Sequence, residues 1–327
     1  NFVVLLDKVF GSWIILPPML SWMLLGTLMG ALVYFAIWES HKLVHPKLRP
    51  VFLIIPAVLA IASALIWPRI EVRLSGQRLI GSSIQEHTNG LTAGQVETFG
   101  GIPFVWIPPG TFRMGSFPDE TGRHDDEDPH IVVLTKGFWL GKTEVTQALW
   151  KSVMGNNPSA FADDAAPVEN VTWKDCADFI DKLNKIGPYG FRLPTEAEWE
   201  FACRAGSLGV YSFGNDAREL NAHAWYKDTS GTSTHPVGLK SANAWGLHDM
   251  HGNVWEWCQD YYDAYPAKRI TDPTGPAYGQ RHVLRGGAWS TEASDCRCAR
   301  RFVFLEGYFL PTNNLGLRLA RDLEPEE

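Results

Sequence analysis

The N-terminal part of the chain is dominated by two long apolar stretches. Residues 12–38 contain no charged side chain, and residues 51–67 form a second, shorter stretch. At a helical rise of about 1.5 Å per residue, the first stretch exceeds the roughly 30 Å core of a bilayer, and the second lies at the short end of the spanning range. Trp13, Trp38 and Trp67 lie at the ends of these stretches, as interfacial aromatic residues do. The pattern predicts two transmembrane helices that form a membrane hairpin; a pair of buried core helices is the alternative.

The basic residues around the two stretches do not decide the orientation of the hairpin. The connector between the stretches carries three Lys or Arg residues, whereas the segments outside them carry four. Because cytoplasmic loops carry an excess of Lys and Arg, this near balance leaves both orientations open. The four outer residues are Lys8, Arg69, Arg73 and Arg78.

A change of composition marks the boundary of a globular domain. The hairpin occupies residues 1–70, and residues 71–100 are polar and rich in Gly, Ser and Thr, which predicts a linker. The domain then covers residues 101–327. It begins with two short strands, "PFVWI" and "GTFRMG", joined by a turn at residues 108–110.

Three helices are predicted in the first half of this domain. They span residues 146–155, 172–187 and 195–206, each beginning at a threonine N-cap and ending at a glycine. Thr195 and Glu198 have the spacing of a capping box. After the third helix, short apolar pieces alternate with Gly, Pro, Asn and Asp, and regular periodicity disappears. The pattern predicts an irregular, loop-rich α+β domain preceded by two transmembrane helices.

Composition narrows the class of protein further. The 327 residues include 14 Trp, 30 Gly and 21 Pro, which is typical of a domain built from loops around aromatic anchors. The net charge of −7 gives no reason to expect a nucleic-acid partner. No CxxC spacing occurs, so a zinc ribbon or a thioredoxin-like motif has little support. The cysteines are odd in number and scattered, at Cys176, Cys203, Cys258, Cys296 and Cys298.

Several sequence blocks resemble one family. In order along the chain they are "IPPGTFRMGS", "EVTQALW", "PVENVTWKDCADF", "FRLPTEAEWEFACRAG", "THPVGLKSANAWGLHDMHGNVWEWCQDYY", "VLRGGAWS" and "NNLGLRLAR". Together they resemble the formylglycine-generating enzymes, also called sulfatase-modifying factors, over about residues 100–322. The resemblance does not cover the hairpin. It implies an irregular α+β fold related to that of the C-type lectins.

The resemblance also implies where catalysis would take place. In that family two cysteines five residues apart, after an "RGGS" turn, bind copper and oxidise a sulfatase cysteine; paired thiolates suit Cu(I). Here the first position is Thr291 and the second is Cys296, which is the candidate catalytic residue. Because a threonine hydroxyl is a poor Cu(I) ligand, copper is not expected, and a non-catalytic role is favoured over an enzyme. Cys298 is an alternative partner for Cys296, and a buried structural Cys296 is the simpler interpretation. Cys258 is either a core residue or part of a disulfide.

The stretch "LHDMHGNVWEW" resembles a calcium site of the same family. Asp249 and Glu256 would supply side-chain oxygens, and Gly252 and Val254 would supply backbone carbonyls. Ca²⁺ takes six to eight oxygen ligands and often mixes carboxylates with loop carbonyls. Calcium is therefore the expected cofactor.

Two other interpretations of this stretch remain open. His248 and His251 are candidate zinc ligands without an obvious third. Alternatively, Asp249 caps a turn and Glu256 pairs with an arginine such as Arg318. The family's second calcium site does not carry over cleanly, because Thr229 stands where an aspartate would be expected.

Three functions follow from these observations. The first is a membrane-anchored sulfatase-modifying-factor-like domain that acts as a binding, accessory or assembly subunit, with the lipid bilayer and a protein as partners. The second is an oxidoreductase, either formylglycine-generating or a related oxidative maturation enzyme. The third is the ligand-binding variable protein of a diversity-generating retroelement, with residues 290–295 and 302–309 as the binding surface. We expect a membrane location, the inner membrane in a bacterium, with the domain on the periplasmic or extracellular side.

Overall fold

The computed structural model of the protein describes residues 90–303 and 312–323. The two helices predicted at residues 12–38 and 51–67 lie outside the described residues. Within the part that is described, no helix combines the length and the apolar character needed to cross a bilayer.

The strands of the largest sheet are Val96–Phe99 (β1), Ile102–Ile107 (β2), Phe138–Gly141 (β5), Phe191–Arg192 (β6) and Ala320–Asp322 (β12). They lie side by side in the order β1-β2-β5-β12-β6. All neighbours in this sheet are antiparallel. The last strand of the described residues, β12, thus lies between β5 and β6, which precede it in the chain.

The linker predicted for residues 71–100 ends earlier than the sequence suggests. Val96–Phe99 pairs with β2 as the first strand of the large sheet. Gly100 and Gly101 form the turn between the two strands with positive φ values of 59° and 80°. Glycine adopts positive φ values without steric cost. Gly100 and Gly101, which the sequence assigns to the end of the linker and the start of the domain, therefore form a hairpin turn.

Two smaller sheets complete the β structure. One has the order β10-β9-β7-β11, with Trp255–Tyr261 as β7 and His282–Arg285 as β9 at its centre. Its outer strands are Phe302–Val303 (β10) and Leu315–Gly316 (β11), and β11 is parallel to β7. The other sheet comprises Gly110–Met114 (β3), His130–Leu134 (β4) and Ile270–Thr271 (β8).

The three predicted helices are confirmed. They are Gln147–Met154 (α1), Trp173–Ile186 (α2) and Glu196–Arg204 (α3), and each begins directly after its predicted threonine N-cap. The capping box of Thr195 and Glu198 is present. A second capping box, between Thr172 and Asp175, begins α2. The described residues also contain the short helix Leu220–His223 (α4) and the 3₁₀ segments Ala217–Glu219 and Ala293–Cys296.

The core contains large aromatic residues and, unusually, arginines. Trp106, Trp150 and Trp199 are fully buried, which agrees with the Trp-rich composition. Four arginines are buried just as completely, and their guanidinium groups pair with buried glutamates. They are Arg285, Arg297, Arg301 and Arg318. Because an unpaired buried charge is costly, each of these arginines fixes the position of its partner.

The threonine caps provide a test of the helix assignments. We expect Thr172→Ala and Thr195→Ala each to lower the free energy of unfolding of the full chain by about 1 kcal/mol, because each removes an N-cap hydrogen bond. Ser152→Ala, on the exposed face of α1, is the control and should change it by less than about 0.5 kcal/mol. Chemical denaturation measures all three. Equal effects of the cap and control variants would contradict the assignment.

Candidate functional site

The segment after β9 brings Thr291 and Cys296 together. Gly286 and Gly287 turn the chain with φ values of 102° and 79°. A Cβ atom on Gly287 would lie 2.7 Å from the sulfur of Cys296, so glycine is needed there. The Thr291 hydroxyl exchanges hydrogen bonds with the backbone of Ala288 and lies 3.9 Å from the Cys296 sulfur. The two family positions are therefore adjacent in space, as the resemblance predicts.

The environment of Cys296 does not favour a thiolate. Its side chain is completely buried, and this burial raises the pKa of the Cys296 thiol to about 12. Thiolates, and not thiols, are the nucleophiles and metal ligands of proteins. Cys296 is therefore a neutral, enclosed thiol that faces a hydroxyl group.

Cys298 does not act as a substitute partner for Cys296. Its sulfur lies 3.5 Å from the sulfur of Cys203, at the end of α3. All five cysteines are buried free thiols, including Cys258, so the disulfide left open for Cys258 is not formed. Arg297 is extended after the 3₁₀ segment, and the sulfur contact of Cys298 in the structure is with Cys203 of α3.

Asp249 and Gly252 occupy backbone conformations that suit a tight turn. Asp249 has a φ of 57°, and its Oδ2 accepts a hydrogen bond from the Gly238 amide at 2.7 Å. Its Oδ1 is buried and has no hydrogen-bond partner. Gly252 has a φ of 107°, and a Cβ atom there would lie 2.2 Å from the Trp225 carbonyl oxygen. The turn thus leaves one buried carboxylate oxygen of Asp249 unsatisfied.

Glu256 is fully engaged by protein groups. Arg318 donates to both of its oxygens, with distances down to 2.6 Å, and the Trp199 indole donates to Oε2 at 2.7 Å. This is the ion pair that the sequence leaves as an alternative to calcium ligation. Glu256 therefore offers no open coordination position, and the side chain of Val254, two residues before it, is buried in the core.

A third carboxylate joins this turn from the loop before α1. The Oε1 of Glu144 is buried and unpartnered, and its Oε2 lies 3.4 Å from the Asn253 amide nitrogen. Burial raises the pKa of Glu144 well above its usual range and also raises that of Asp249, and neighbouring carboxylates add to both effects. Arg318 is paired with Glu256, so the charges of Glu144 and Asp249 remain without a direct cationic partner. Their two unpaired oxygens fit a hard cation such as calcium; Glu256 does not.

Sequence reasoning missed Glu144. It lies 109 residues from Asn253 along the chain, in the block "EVTQALW", and no local pattern connects the two.

The residues considered for a second calcium site serve local contacts instead. Asn221 accepts from the Tyr226 hydroxyl, and Thr229 donates to the Ala224 carbonyl.

The two histidines of the stretch have separate surroundings. His248 Nδ1 lies 2.9 Å from the Lys240 carbonyl, whereas His251 bonds to the Cys296 carbonyl and to Ser212. Burial lowers the pKa of His251 to about 4, so its ring is neutral. Among the described residues, one set of three ligand groups has all its ligand atoms within 4.8 Å of one another: Cys203, His251 and Cys298. His248 is not part of it.

Residues 101–323 match the family described as the sulfatase-modifying factor enzyme 1-like domain. The chain belongs to this family.

The relatives of this sulfatase-modifying-factor-like domain have diverse names. The formylglycine-generating enzyme of Thermomonospora curvata is 36% identical over 183 residues, which cover 50% of this chain and 57% of that protein. A serine/threonine-protein kinase pkn1 of Chlamydia pneumoniae is 40% identical over 140 residues, 41% of this chain and 21% of the kinase. The chaperone protein LppX of Paenibacillus barcinonensis is 31% identical over 229 residues, 54% of this chain and 76% of LppX. The matches therefore span about a fifth of the kinase and just over half of the enzyme.

Two solved structures show the same architecture. Treponema denticola variable protein 1 is 33% identical, with a TM-score of 0.64, and the match covers 70% of this chain and 99% of that one. PvdO from Pseudomonas aeruginosa is 26% identical, with a TM-score of 0.60, and the match covers 72% of this chain and 100% of PvdO. The irregular mixed fold expected from the sequence is thus confirmed.

The reactivity of Cys296 tests whether its thiol is enclosed. We expect the folded full chain to resist alkylation of Cys296 by iodoacetamide at mildly alkaline pH, because the thiol is both buried and protonated. Unfolding in denaturant should make it react at the rate of an ordinary thiol, and peptide mass spectrometry measures the extent. Cys176, which is equally buried in the core, is the internal control. Rapid labelling of native Cys296 ahead of Cys176 would show an accessible, activated thiol.

Proposed function

We propose that this sulfatase-modifying-factor-like domain is a binding, accessory or assembly subunit and not a copper oxidase. The observation that carries the proposal is the pairing of the Thr291 hydroxyl with the Cys296 thiol, 3.9 Å apart, where the family's enzymes have two cysteines. A soft ion such as Cu(I) is held by thiolate pairs. The Thr291 hydroxyl and the neutral Cys296 thiol supply neither of the two negative charges that a pair of thiolates would supply.

The surface above these residues suits a binding role. Ser290, Glu292 and Ser294 are exposed in the turn and 3₁₀ segment that enclose Cys296. Glu292 forms an exposed ion pair with Lys227, and such pairs contribute little to stability. The side chains of this surface can therefore vary without loss of the fold, which is what a recognition surface requires.

A second candidate function involves the same surface. The match covers 99% of Treponema denticola variable protein 1, and residues 290–295 and 302–309 are the segments to which the resemblance assigns the variable positions of a diversity-generating retroelement protein. A reverse transcriptase and a template repeat beside the coding sequence would support this function. The absence of both from the genomic neighbourhood would argue against this function.

We extend the proposal to a membrane setting. The apolar stretches at residues 12–38 and 51–67 support anchoring in a bilayer, the inner membrane in a bacterium, with a protein partner in the same complex. The domain is placed on the periplasmic or extracellular side, where calcium is plentiful. Protease digestion of spheroplasts, from which the outer membrane barrier has been removed, tests that placement, and a domain that stays protected there would contradict it.

A peptide oxidation assay separates the binding function from the oxidase. We expect the full chain, extracted in detergent and supplied with copper and oxygen, to leave a Cys-x-Pro-x-Arg peptide unoxidised. The reason is that Thr291 cannot supply the second thiolate. Mass spectrometry of the peptide is the measurement, and the Thermomonospora curvata enzyme is the positive control. Turnover by the wild-type chain that disappears in Cys296→Ala would contradict the proposal.

Co-purification tests whether the chain binds a protein partner through the proposed surface. Proteins that are retained with the wild-type chain should also be retained with Cys296→Ala, because that thiol is enclosed. Glu292→Arg should reduce their recovery, because it reverses a charge on the proposed surface. Asp181→Arg, an exposed site on α2, is the matched control. Equal recovery with Glu292→Arg and Asp181→Arg would place the partner elsewhere.

We further propose that calcium binds the acidic turn with a ligand set that differs from the one predicted. Asp249 and Glu144 would supply the side-chain oxygens, since each has one buried oxygen without a partner. The carbonyls of Gly252 and Val254 complete the proposed set, whereas Glu256 stays with Arg318. The ion would neutralise the two carboxylate charges that Arg318 does not balance.

Thermal unfolding of the full chain tests the calcium proposal. A ligand that binds only the folded state adds about 2.7 kcal/mol of stability when its concentration is 100 times its Kd. We expect calcium to raise the Tm of the wild type relative to a chelator. The rise should be absent in Asp249→Asn and reduced in Glu144→Gln, whereas Asp181→Asn should retain it. The same rise in Asp249→Asn, or none in the wild type, would contradict the proposal.

A further inference from the structure

We propose that the cavity between the start of α3, the end of β7 and the loop at residues 263–276 is a binding site for an alkylammonium group, which the carboxylate of Asp260 would hold. The group belongs either to a free small amine or to a lysine side chain of another protein. The cavity is separate from the Thr291 and Cys296 positions, and the proposal does not depend on the proposed function.

The cavity is large enough for a small organic ligand. Its volume is about 470 Å³, within the range of about 300–1,000 Å³ that is typical of ligand pockets. Asp260 lies near the end of β7, Glu196 at the start of α3 and His130 at the start of β4, and all three line the cavity. The loop at residues 263–276 supplies much of the remaining wall. This loop runs close to β7, since a Cβ atom on Gly275 would lie 2.8 Å from the Cβ atom of Asp260.

Asp260 is the candidate anchor for the ammonium group. The residue is only 5% exposed, and its Oδ2 accepts a hydrogen bond from the Glu196 amide at 2.9 Å. The arginines of the adjacent ion-pair chain are engaged by glutamates. Arg285 pairs with Glu196 and Glu200, and Arg301 donates to both oxygens of Glu196. Since neither arginine pairs with Asp260, a cation in the cavity would supply the compensating charge.

His130 offers a second acceptor in the wall of the cavity. It is 7% exposed, and its Nδ1 lies 3.1 Å from the carbonyl oxygen of Asp128. Because a carbonyl only accepts, Nδ1 carries the proton, and Nε2 of the neutral ring is an acceptor. The structure gives Nε2 no hydrogen-bond partner among the described residues. An ammonium group has three N–H donors, so it can use a carboxylate together with a neutral acceptor.

The rest of the wall favours a cation with an apolar body. Arg301 also lines the cavity, but Glu196 engages its guanidinium group, which lies 3.8 Å from the centre of the Tyr265 ring. It is therefore not available to an anion. Two exposed carboxylates in the wall, Asp263 and Asp272, favour the approach of a cation. The apolar side chains that suit the hydrocarbon part of the ligand are Met114, Ile270, Pro266, Pro273 and Pro276.

Binding is coupled to the loss of a proton from Asp260. Burial, and after it the charge of Glu196, raises the pKa of Asp260 to about 8, so this carboxyl group is protonated at neutral pH. Besides the groups named above, Glu198 of α3 and Cys258 of β7 lie near it. An alkylammonium ion, with a pKa of about 10.4 like that of lysine, binds the carboxylate, and the proton of Asp260 passes to the solvent. The affinity therefore rises with pH until Asp260 is ionised.

Calorimetric titration of the full chain with n-pentylamine tests the site, and 1-pentanol is the uncharged ligand of similar shape. We expect the affinity for the amine to rise by up to about tenfold per pH unit between about pH 6 and 8 and to level off above that, with up to one proton released per amine bound. The binding of 1-pentanol should be weaker and independent of pH. An amine affinity that does not change with pH, or that equals the affinity for 1-pentanol above pH 8, would overturn the proposal.

Variants test the role of each part of the cavity. Asp260→Asn keeps an oxygen for the Glu196 amide, and we expect it to weaken amine binding above pH 8 by at least about tenfold and to remove the pH dependence. Ala264→Trp, at an exposed position of the wall, should weaken binding by filling the cavity. Asp181→Asn, at an exposed carboxylate of α2, is the matched control and should bind as the wild type does. Full amine affinity in Asp260→Asn would overturn the proposal.

A lysine derivative identifies the source of the ammonium group. Nα-acetyl-lysine methylamide carries the same alkylammonium group on the backbone of a protein residue. Tighter binding of this derivative than of n-pentylamine would identify a lysine side chain of another protein as the ligand, and the opposite order would identify a free amine. Failure of the wild type to bind either compound above pH 8 would overturn the proposal.

Discussion

The chain of buried ion pairs around Arg285 is the interaction on which the rest of the domain depends. This fully buried residue of β9 pairs with Glu196 and Glu200 of α3 and donates to the carbonyls of Cys298 and Ala299. It therefore connects a strand, a helix and the irregular segment that follows the 3₁₀ helix. Removing one member of a buried pair typically costs 3–5 kcal/mol, because a charge stays behind without compensation. A domain with short strands and few helices gains a unique geometry from such a network.

The same network explains why the cysteines are arranged as they are. Arg285 holds the backbone of Cys298 against α3, and this places the Cys298 sulfur beside Cys203 and not beside Cys296. Cys296, two residues earlier, points instead towards Thr291 and the close-packed Gly287. The segment thus has two cysteines with opposite surroundings, although only one residue separates them. One faces a hydroxyl group, and the other faces a second thiol and an imidazole.

Features that depend on residues close together in the sequence could be predicted, whereas contacts between distant residues could not. The caps of α1, α2 and α3 depend on residues three apart, and all three were predictable from Thr146, Thr172 and Thr195. The family and its irregular fold were recognisable from ordered blocks. The contact of Cys203 with Cys298 joins residues 95 positions apart, and that of Glu144 with Asn253 joins residues 109 apart. No periodicity or motif reports such pairs, because they arise only when α3, the turn before β7 and the C-terminal segment pack together.

The acidic turn shows how a family feature changes when its surroundings change. Glu256 keeps the position that the resemblance assigns to a calcium ligand, yet Arg318 and Trp199 use both of its oxygens. One cation side chain cannot balance three buried carboxylates, so Glu144 and Asp249 retain unpaired oxygens. A buried cluster of this kind must either hold protons, as the raised pKa values of both groups indicate, or bind a cation. Burial and the neighbouring carboxylates thus raise the pKa values of Glu144 and Asp249 at the turn to which the resemblance assigns a calcium site.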